Sequence, residues 1–291
     1  MARCAAAVAL VACAAAQPLR RRFATPPVLW TVPGSGSTMT RLFLDAALGG
    51  QSGSVYHDKS LMAVLPGEAR CAANQTTIKA HPKGFAFTRL FRNGSLPCPW
   101  PRFGAALVVV RRPLDAIWAE YQRKTVARLY GRGERHVGRV REKDWVSKNL
   151  QADFDAFAVR MARDTARWHA RDYARLCELP HVVVCFEDLV DWRGGGASRA
   201  AAAYDTLAAF VAADGEAVAD GVSRARATDA ARAARRPPVR AGEVANPWTN
   251  ATRAAALAAL GRPALVDRCA VAHAPGGWTA LAPSCAGLQK R

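Results

Sequence analysis

Short apolar runs alternate along the chain with stretches in which apolar residues recur every three or four positions, and the two patterns predict different elements. Val28, Leu29, Trp30 and Val32 form the first run, and β-branched and aromatic residues bounded by Pro and Gly favour a buried strand. Beyond Pro33-Gly34-Ser35-Gly36, the residues Met39, Leu42, Phe43 and Ala46 fall on one face of a helix. Thr76, Thr77 and Ile78 predict a short strand that ends at Lys79-Ala80-His81-Pro82, because proline halts regular structure. Ala105 to Val110 is continuously apolar, the signature of a central parallel strand covered on both faces. Pro113 suits the first turn of the helix that follows, whose Leu114, Ile117, Trp118 and Tyr121 share a buried face. A longer helix is predicted over about residues 152–176, with Phe154, Phe157, Met161 and Trp168 inward. His181 to Val190 reads as another strand closed by Glu187 and Asp188, and Tyr204, Leu207, Ala208 and Val211 mark one more helix.

This order predicts a three-layer α/β domain around a central, mainly parallel sheet, with residues 17–291 as a single domain. Between Gly221 and Arg240 the chain turns Arg-rich and reaches Pro237-Pro238, which predicts a basic loop rather than a linker. No internal repeat is present.

A strand that runs into a helix through Gly34 and Gly36 leaves the first helical N–H groups without partners and points the positive end of the helix dipole at the turn. Ser35, Ser37 and Thr38 add short hydroxyl donors, so the turn suits phosphate or a related anion. The alternative is an ordinary loop with Ser37 or Thr38 as N-cap. The turn also departs from GxxxxGK[ST]: the position of a nucleotide-binding lysine is empty, which disfavours ordinary ATP or GTP hydrolysis. Arg111 sits at the carboxyl end of its strand, the edge where open α/β sheets bind ligands. Lys79 and His81, two residues apart on an extended segment, point the same way.

Composition narrows the setting. With 291 residues, 51% hydrophobic and 22% charged, the chain is that of a folded protein with ample room for a core. Residues 1–16 combine a short basic start, an apolar stretch and Ala14-Ala15-Ala16 before Gln17, the pattern of a cleaved signal peptide; a short signal anchor is the alternative. The acceptor sequons at Asn74, Asn93 and Asn250 agree with a secretory route, in the Golgi lumen or outside the cell. Membrane association is expected only if the N-terminal segment is retained. Six cysteines follow the signal segment, an even number that permits disulfides; Cys71 is expected to pair with Cys98 and Cys269 with Cys285, since Cys185 lies in a buried strand. No His/Cys cluster has metal-ligand spacing, so no metal is expected. The formal charge of +18 suits anionic partners such as acidic glycans or nucleotides; a solvated arginine surface is the plainer explanation. Nucleic acid is not an expected partner in that compartment.

In order and in context, these segments resemble the sulfotransferases that use 3'-phosphoadenosine 5'-phosphosulfate (PAPS), whose fold is P-loop-NTPase-like. The nearest resemblance is to the WSC-domain-containing group acting on glycans, although the WSC domain itself is absent. "TVPGSGSTMTR" looks like the 5'-phosphosulfate loop, "IKAH" like the Lys-x-His strand end, "VVVRRPLDAIWAEYQRK" like the 3'-phosphate strand and helix, and "VVVCFEDL" like a later strand. "NPWTNATRAAALAALGRP" is similar to the C-terminal helix entry, so the resemblance covers residues 27 to about 278. It implies that Ser35, Gly36, Ser37 and Thr38 hold the 5'-phosphosulfate, that Arg111 pairs with the 3'-phosphate, and that Arg235 and Arg236 close over the nucleotide. Lys79 and His81 fall where the related cytosolic enzymes keep a charge-stabilising lysine and a catalytic base, with Glu187 the next candidate base. Two positions depart from those enzymes: Gly34 stands in place of their lysine, its charge to come from Arg41 or Lys79, and Ala119 stands in place of their serine. The implied activity is sulfuryl transfer from PAPS, without a metal, to a carbohydrate hydroxyl. A non-catalytic binder of anionic glycans on the same fold is the competing function, and a nucleotide kinase a third.

Overall fold

The computed structural model describes residues 22–56, 58–68, 70–82, 98, 103–131, 138–176, 178–191, 199–212, 229 and 239–261. In chain order its strands are β1 (Val28–Thr31), β2 (Gly53–Ser54), β3 (Ile78–Ala80), β4 (Ala106–Val110) and β5 (His181–Cys185). They form one sheet in the order β2-β3-β1-β4-β5, and every neighbouring pair is parallel. The register sets Val28 beside both Ile78 and Ala106, and Ala106 beside His181. The helices used below are α1 (Ser37–Leu48), α2 (Pro113–Tyr130), α3 (Glu142–Ser147), α4 (Leu150–Leu176), α5 (Phe186–Leu189), α6 (Arg199–Val211) and α7 (Asn250–Leu260).

Alternation along the strands divides the core. Val28, Trp30, Ile78, Ala80, Ala106 and Val108 face one way and pack with α2, α4 and α7 through Ile117, Tyr121, Phe154, Phe157 and Ala256. Leu29, Leu107 and Val109 face the other way, against Phe43 and Leu44 of α1 and Tyr204 and Leu207 of α6. Helices therefore cover both faces, as the continuously apolar β4 predicts, and the fold is three-layered α/β. The Cys71–Cys98 disulfide ties the segment before β3 to the core, with Cα atoms 4.8 Å apart. Cys185 is disulfide-bonded as well, against the expectation that its buried strand leaves it unpaired. Asn74 and Asn250 are exposed; residues 1–16, Asn93, Cys269 and Cys285 lie outside the described residues.

Two elements differ from their predicted bounds, and a third has no end predicted from the sequence. The third strand is Ile78–Ala80 rather than Thr76–Ile78, because Thr76 and Thr77 spend their hydroxyls on Asp45 and on the Pro27 carbonyl at the base of the ladder. The run from His181 leaves the sheet at Cys185 and turns into α5, so Glu187 and Asp188 sit on a helical turn. The second helix continues to Tyr130, held by Val126, which is buried with Val140, Leu150 and Val244. Trp168, predicted inward on α4, is half-buried.

Beneath the sheet, His169 of α4 is 5% exposed and meets Trp30 edge-on at 5.5 Å. Its Nδ1 has no hydrogen-bond partner among the described residues, and burial pushes the imidazole down to about 4. The unfolded chain therefore takes up a proton near pH 6.5 that the folded chain refuses, and stability falls as the pH drops through that window toward 4. Asp45, raised to about 6 by burial, acts in the opposite sense, losing stability as pH rises through 6. Replacing His169 by Phe removes the first effect alone. Between pH 7 and pH 5 the His169→Phe protein should lose about 2 kcal/mol less stability than the wild type, read from urea titrations at both pH values. Equal losses in the two proteins would contradict this account.

Candidate functional site

The carboxyl ends of β3, β1 and β4 lie side by side, so the residues that follow them share one crest. After β1 the backbone reverses at once: the Ser35 amide donates to the Val32 carbonyl at 3.1 Å, and Gly34 and Gly36 both adopt φ of +87°. The space explains why both are glycine. A Cβ on Gly34 would lie 2.2 Å from the Ala116 carbonyl of α2, and one on Gly36 would lie 2.3 Å from the Phe186 ring. Helix α1 then starts at Ser37 with no side chain capping its first turn. Its leading N–H groups are available to an anion, beside the buried Ser35 and Ser37 and the half-buried Thr38.

Arg111, one residue past β4, reaches this turn directly. Its Nη1 donates to the Gly34 carbonyl at 2.7 Å, and its guanidinium lies 4.3 Å from the centre of the Phe186 ring. Nε is buried without a hydrogen-bond partner among the described residues, and desolvation lowers the guanidinium's pKa. A guanidinium, a group chemically suited to pair with an anion, is thus in contact with the loop. Glu187 plays a different part, since its carboxylate accepts from the Arg112 amide at 2.9 Å and fixes the start of α2.

On the other flank of β1, Lys79 and His81 follow the register of β3. Lys79 is 6% exposed, and burial pushes its ammonium down to about 8, with Glu68 and Asp58 pulling up and Arg41 and Arg123 pulling down. The His81 Nδ1 lies 2.8 Å from the Thr31 carbonyl and 3.1 Å from the Thr31 hydroxyl. A carbonyl only accepts, so Nδ1 carries the proton and the neutral ring has its lone pair on Nε2. Tyr56, just after β2, fixes the same residue: its hydroxyl donates to the His81 carbonyl at 3.0 Å and accepts from the His81 amide at 2.8 Å. Its ring stacks on the imidazole at 5.4 Å and lies 5.8 Å from the Lys79 Nζ. Across two strand spacings, about 10 Å, the crest carries a base, an ammonium, an amide-lined turn and a guanidinium.

Of the residues predicted for the site, Ser35, Gly36, Ser37, Thr38, His81 and Arg111 follow strand ends on this crest, Lys79 lies within β3 beside Leu29, and Arg235 and Arg236 lie outside the described residues. Arg41 does not supply the charge that Gly34 lacks. It is fully buried, pairs with Glu68 and donates to the Ser52 hydroxyl and carbonyl, because α1 turns it toward the 52–68 segment. Tyr56, Thr31 and Phe186 escape the sequence reading. Gly53–Ser54 is too short to show a strand period, and Phe186 looks like the continuation of β5.

No family model matches the chain, and no solved structure matches it. Among curated proteins, the WSCD family member CG9164 of Drosophila melanogaster is 30% identical over 118 residues, 40% of this chain and 33% of that protein. The WSCD family member AAEL009094 of Aedes aegypti is 33% identical over 98 residues, 33% of this chain and 27% of that protein. The chain matches about a third of the length of these curated relatives, so the similarity is to a portion of each.

Proposed function

We propose that the chain is a sulfotransferase that moves a sulfuryl group from PAPS to a hydroxyl of a carbohydrate acceptor. The observation that carries this reading is the contact between Arg111 and the Gly34 carbonyl, which joins the two expected anion grips on one crest beside Lys79 and His81. The residues present fit the donor: uncapped amides at the head of α1 suit its 5' end, and the buried, unpartnered Nε of Arg111 suits a second phosphate. The similarity to WSCD family members favours the same reading. The disulfides favour an oxidising compartment, such as the Golgi lumen or the cell exterior.

In the proposed reaction His81 Nε2 takes the proton of the acceptor hydroxyl as its oxygen bonds to sulfur. The sulfur–oxygen bond to the phosphate breaks, its electron pair staying on the departing nucleotide, 3',5'-bisphosphoadenosine (PAP). Lys79 and the amides of the Gly36–Ser37 turn face the charge that develops there. Tyr56 and Thr31 hold the imidazole in its orientation and tautomer. Arg111 and the glycine turn position the nucleotide without taking part in proton transfer.

Four outcomes are expected of purified protein with labelled PAPS and a glycan panel. His81→Ala should retain PAP affinity while turnover falls about a hundredfold or more, and Tyr56→Phe should lower turnover by a smaller factor. Near-normal turnover in His81→Ala would assign the base elsewhere. Arg111→Ala should weaken PAP binding by roughly tenfold to a hundredfold in calorimetry; unchanged affinity would remove Arg111 from the site. Turnover should also decline as pH rises through about 8, where Lys79 gives up its proton, and a rate that is flat from pH 7 to pH 9.5 would exclude a charged Lys79 from the step. Salt-sensitive glycan binding with no label transferred to any acceptor would favour the non-catalytic alternative.

A further inference from the structure

On the α2–α4 face of the sheet, a cavity of about 470 Å³ opens beside Pro33, the residue that leads into the glycine turn. Phe157, Met161 and Trp168 of α4 give it an apolar floor. Its lining carries four cations, Lys124, Arg160, Arg167 and Arg171, against the two carboxylates Glu120 and Asp164. Most of this charge is already answered. Arg167 pairs with Asp164, Arg171 with Asp172, and the buried Glu120 is held by Arg123 at 2.5 Å, closer than by Lys124 at 3.7 Å. Arg160 has no acid partner among the described residues; its guanidinium lies 5.6 Å from the Phe157 ring centre, and the Lys124 ammonium lies 5.0 Å from the same ring.

We propose that this cavity is the acceptor subsite and that it takes a sugar already bearing a carboxylate or sulfate, with Arg160 and Lys124 gripping that charge over the Phe157 ring. The volume is that of a small-ligand site, and its apolar floor among charged side chains suits a sugar, whose ring has an apolar face and whose substituents are polar. An arginine fork matches either anion in two-point fashion. The nucleotide is the less fitting occupant. Its expected grips lie on the opposite face, where Arg111 stacks on Phe186 beside the α1–α6 core. The cavity adjoins the turn through Pro33, which lines it and leads into Gly34.

This assignment rests on the transferase reading for the word acceptor, but the binding claim can be tested without it. The full chain is titrated, with no nucleotide present, with a hyaluronan tetrasaccharide, whose only charges are carboxylates, a sulfated chondroitin tetrasaccharide, and neutral chitotetraose. Both acidic probes should bind at least tenfold more tightly than chitotetraose. Arg160→Ala should cut this preference about threefold or more, and the Lys124→Ala, Arg160→Ala double variant should abolish most of it. Arg163→Ala removes the same charge from the exposed side of α4 and should change affinity by less than twofold. Equal binding of neutral and acidic probes, or equal losses in Arg163→Ala and Arg160→Ala, would overturn the cavity. Loss of PAP affinity rather than oligosaccharide affinity in Arg160→Ala would overturn it too, by giving the space to the nucleotide. If acidic probes bind as described while no acceptor is ever sulfated, the transferase reading fails and the anionic sugar site stands.

Discussion

Two backbone contacts at the end of β1 set everything that happens on the crest. Gly34 lies so near the Ala116 carbonyl of α2, and Gly36 so near Phe186 of α5, that neither position has room for a Cβ, and both need a left-handed conformation that only glycine adopts without strain. The same closeness draws the turn down between two elements that follow β4 and β5. Arg111 can therefore reach the Gly34 carbonyl, and α1 can begin with its amides facing the gap. A side chain at Gly34 would push α2 away from the turn and part the two grips. The absence of a lysine there follows from this packing, and the nearest buried ammonium, Lys79, arrives instead from the neighbouring strand.

Electrostatics on the crest is one-sided. Lys79 is buried and Arg111 half-buried, and both are depressed from their ordinary values, chiefly by desolvation, so the folded chain carries positive charge that its own carboxylates do not fully answer. Buried charge of this kind is costly unless compensated. Arg41 shows the contrast within the same fold: with Glu68 and Ser52 it is compensated internally and fastens α1 to the chain that leads into β3. Asp45, on the same helix, accepts from Ser52 and Thr76 and completes that fastening. One arginine on α1 serves architecture, while Lys79 in β3 and Arg111 just after β4, the strands on either side of β1, form no salt bridge among the described residues.

Legibility in the sequence follows contact range. β4 and the amphipathic face of α2 could be read because burial on both sides of a central strand, or along one side of a helix, leaves a periodic trace. The glycine turn and the strand-end positions of Lys79, His81 and Arg111 could be read because a parallel sheet puts successive strand ends on one edge. What could not be read depends on partners far away in the chain. Arg41 is indistinguishable from a surface arginine until Glu68 lies against it, and Tyr56 is one more loop tyrosine until the chain, 25 residues on, returns His81 to its hydroxyl. The turn at Phe186 is concealed for another reason, since an apolar run continuing past Cys185 has the composition of a strand whichever way its backbone bends.

The sheet also divides the chemistry between its faces. Arg111 and Phe186 belong to the α1–α6 side, the basic cavity belongs to the α2–α4 side, and Pro33-Gly34 is the stretch of chain that separates them. His81 stands at the crest itself, hydrogen-bonded to the last residue of β1, where a group approaching from either side comes within reach. In the proposed transfer, donor and acceptor must meet along one line while each keeps its own grip, and a backbone turn between two differently lined faces would suit that arrangement. The formal charge of +18 fits the same picture: with anions expected on both sides of the turn, positive charge is useful in both places, and the carboxylates of α2 and α4 trim it where cations crowd.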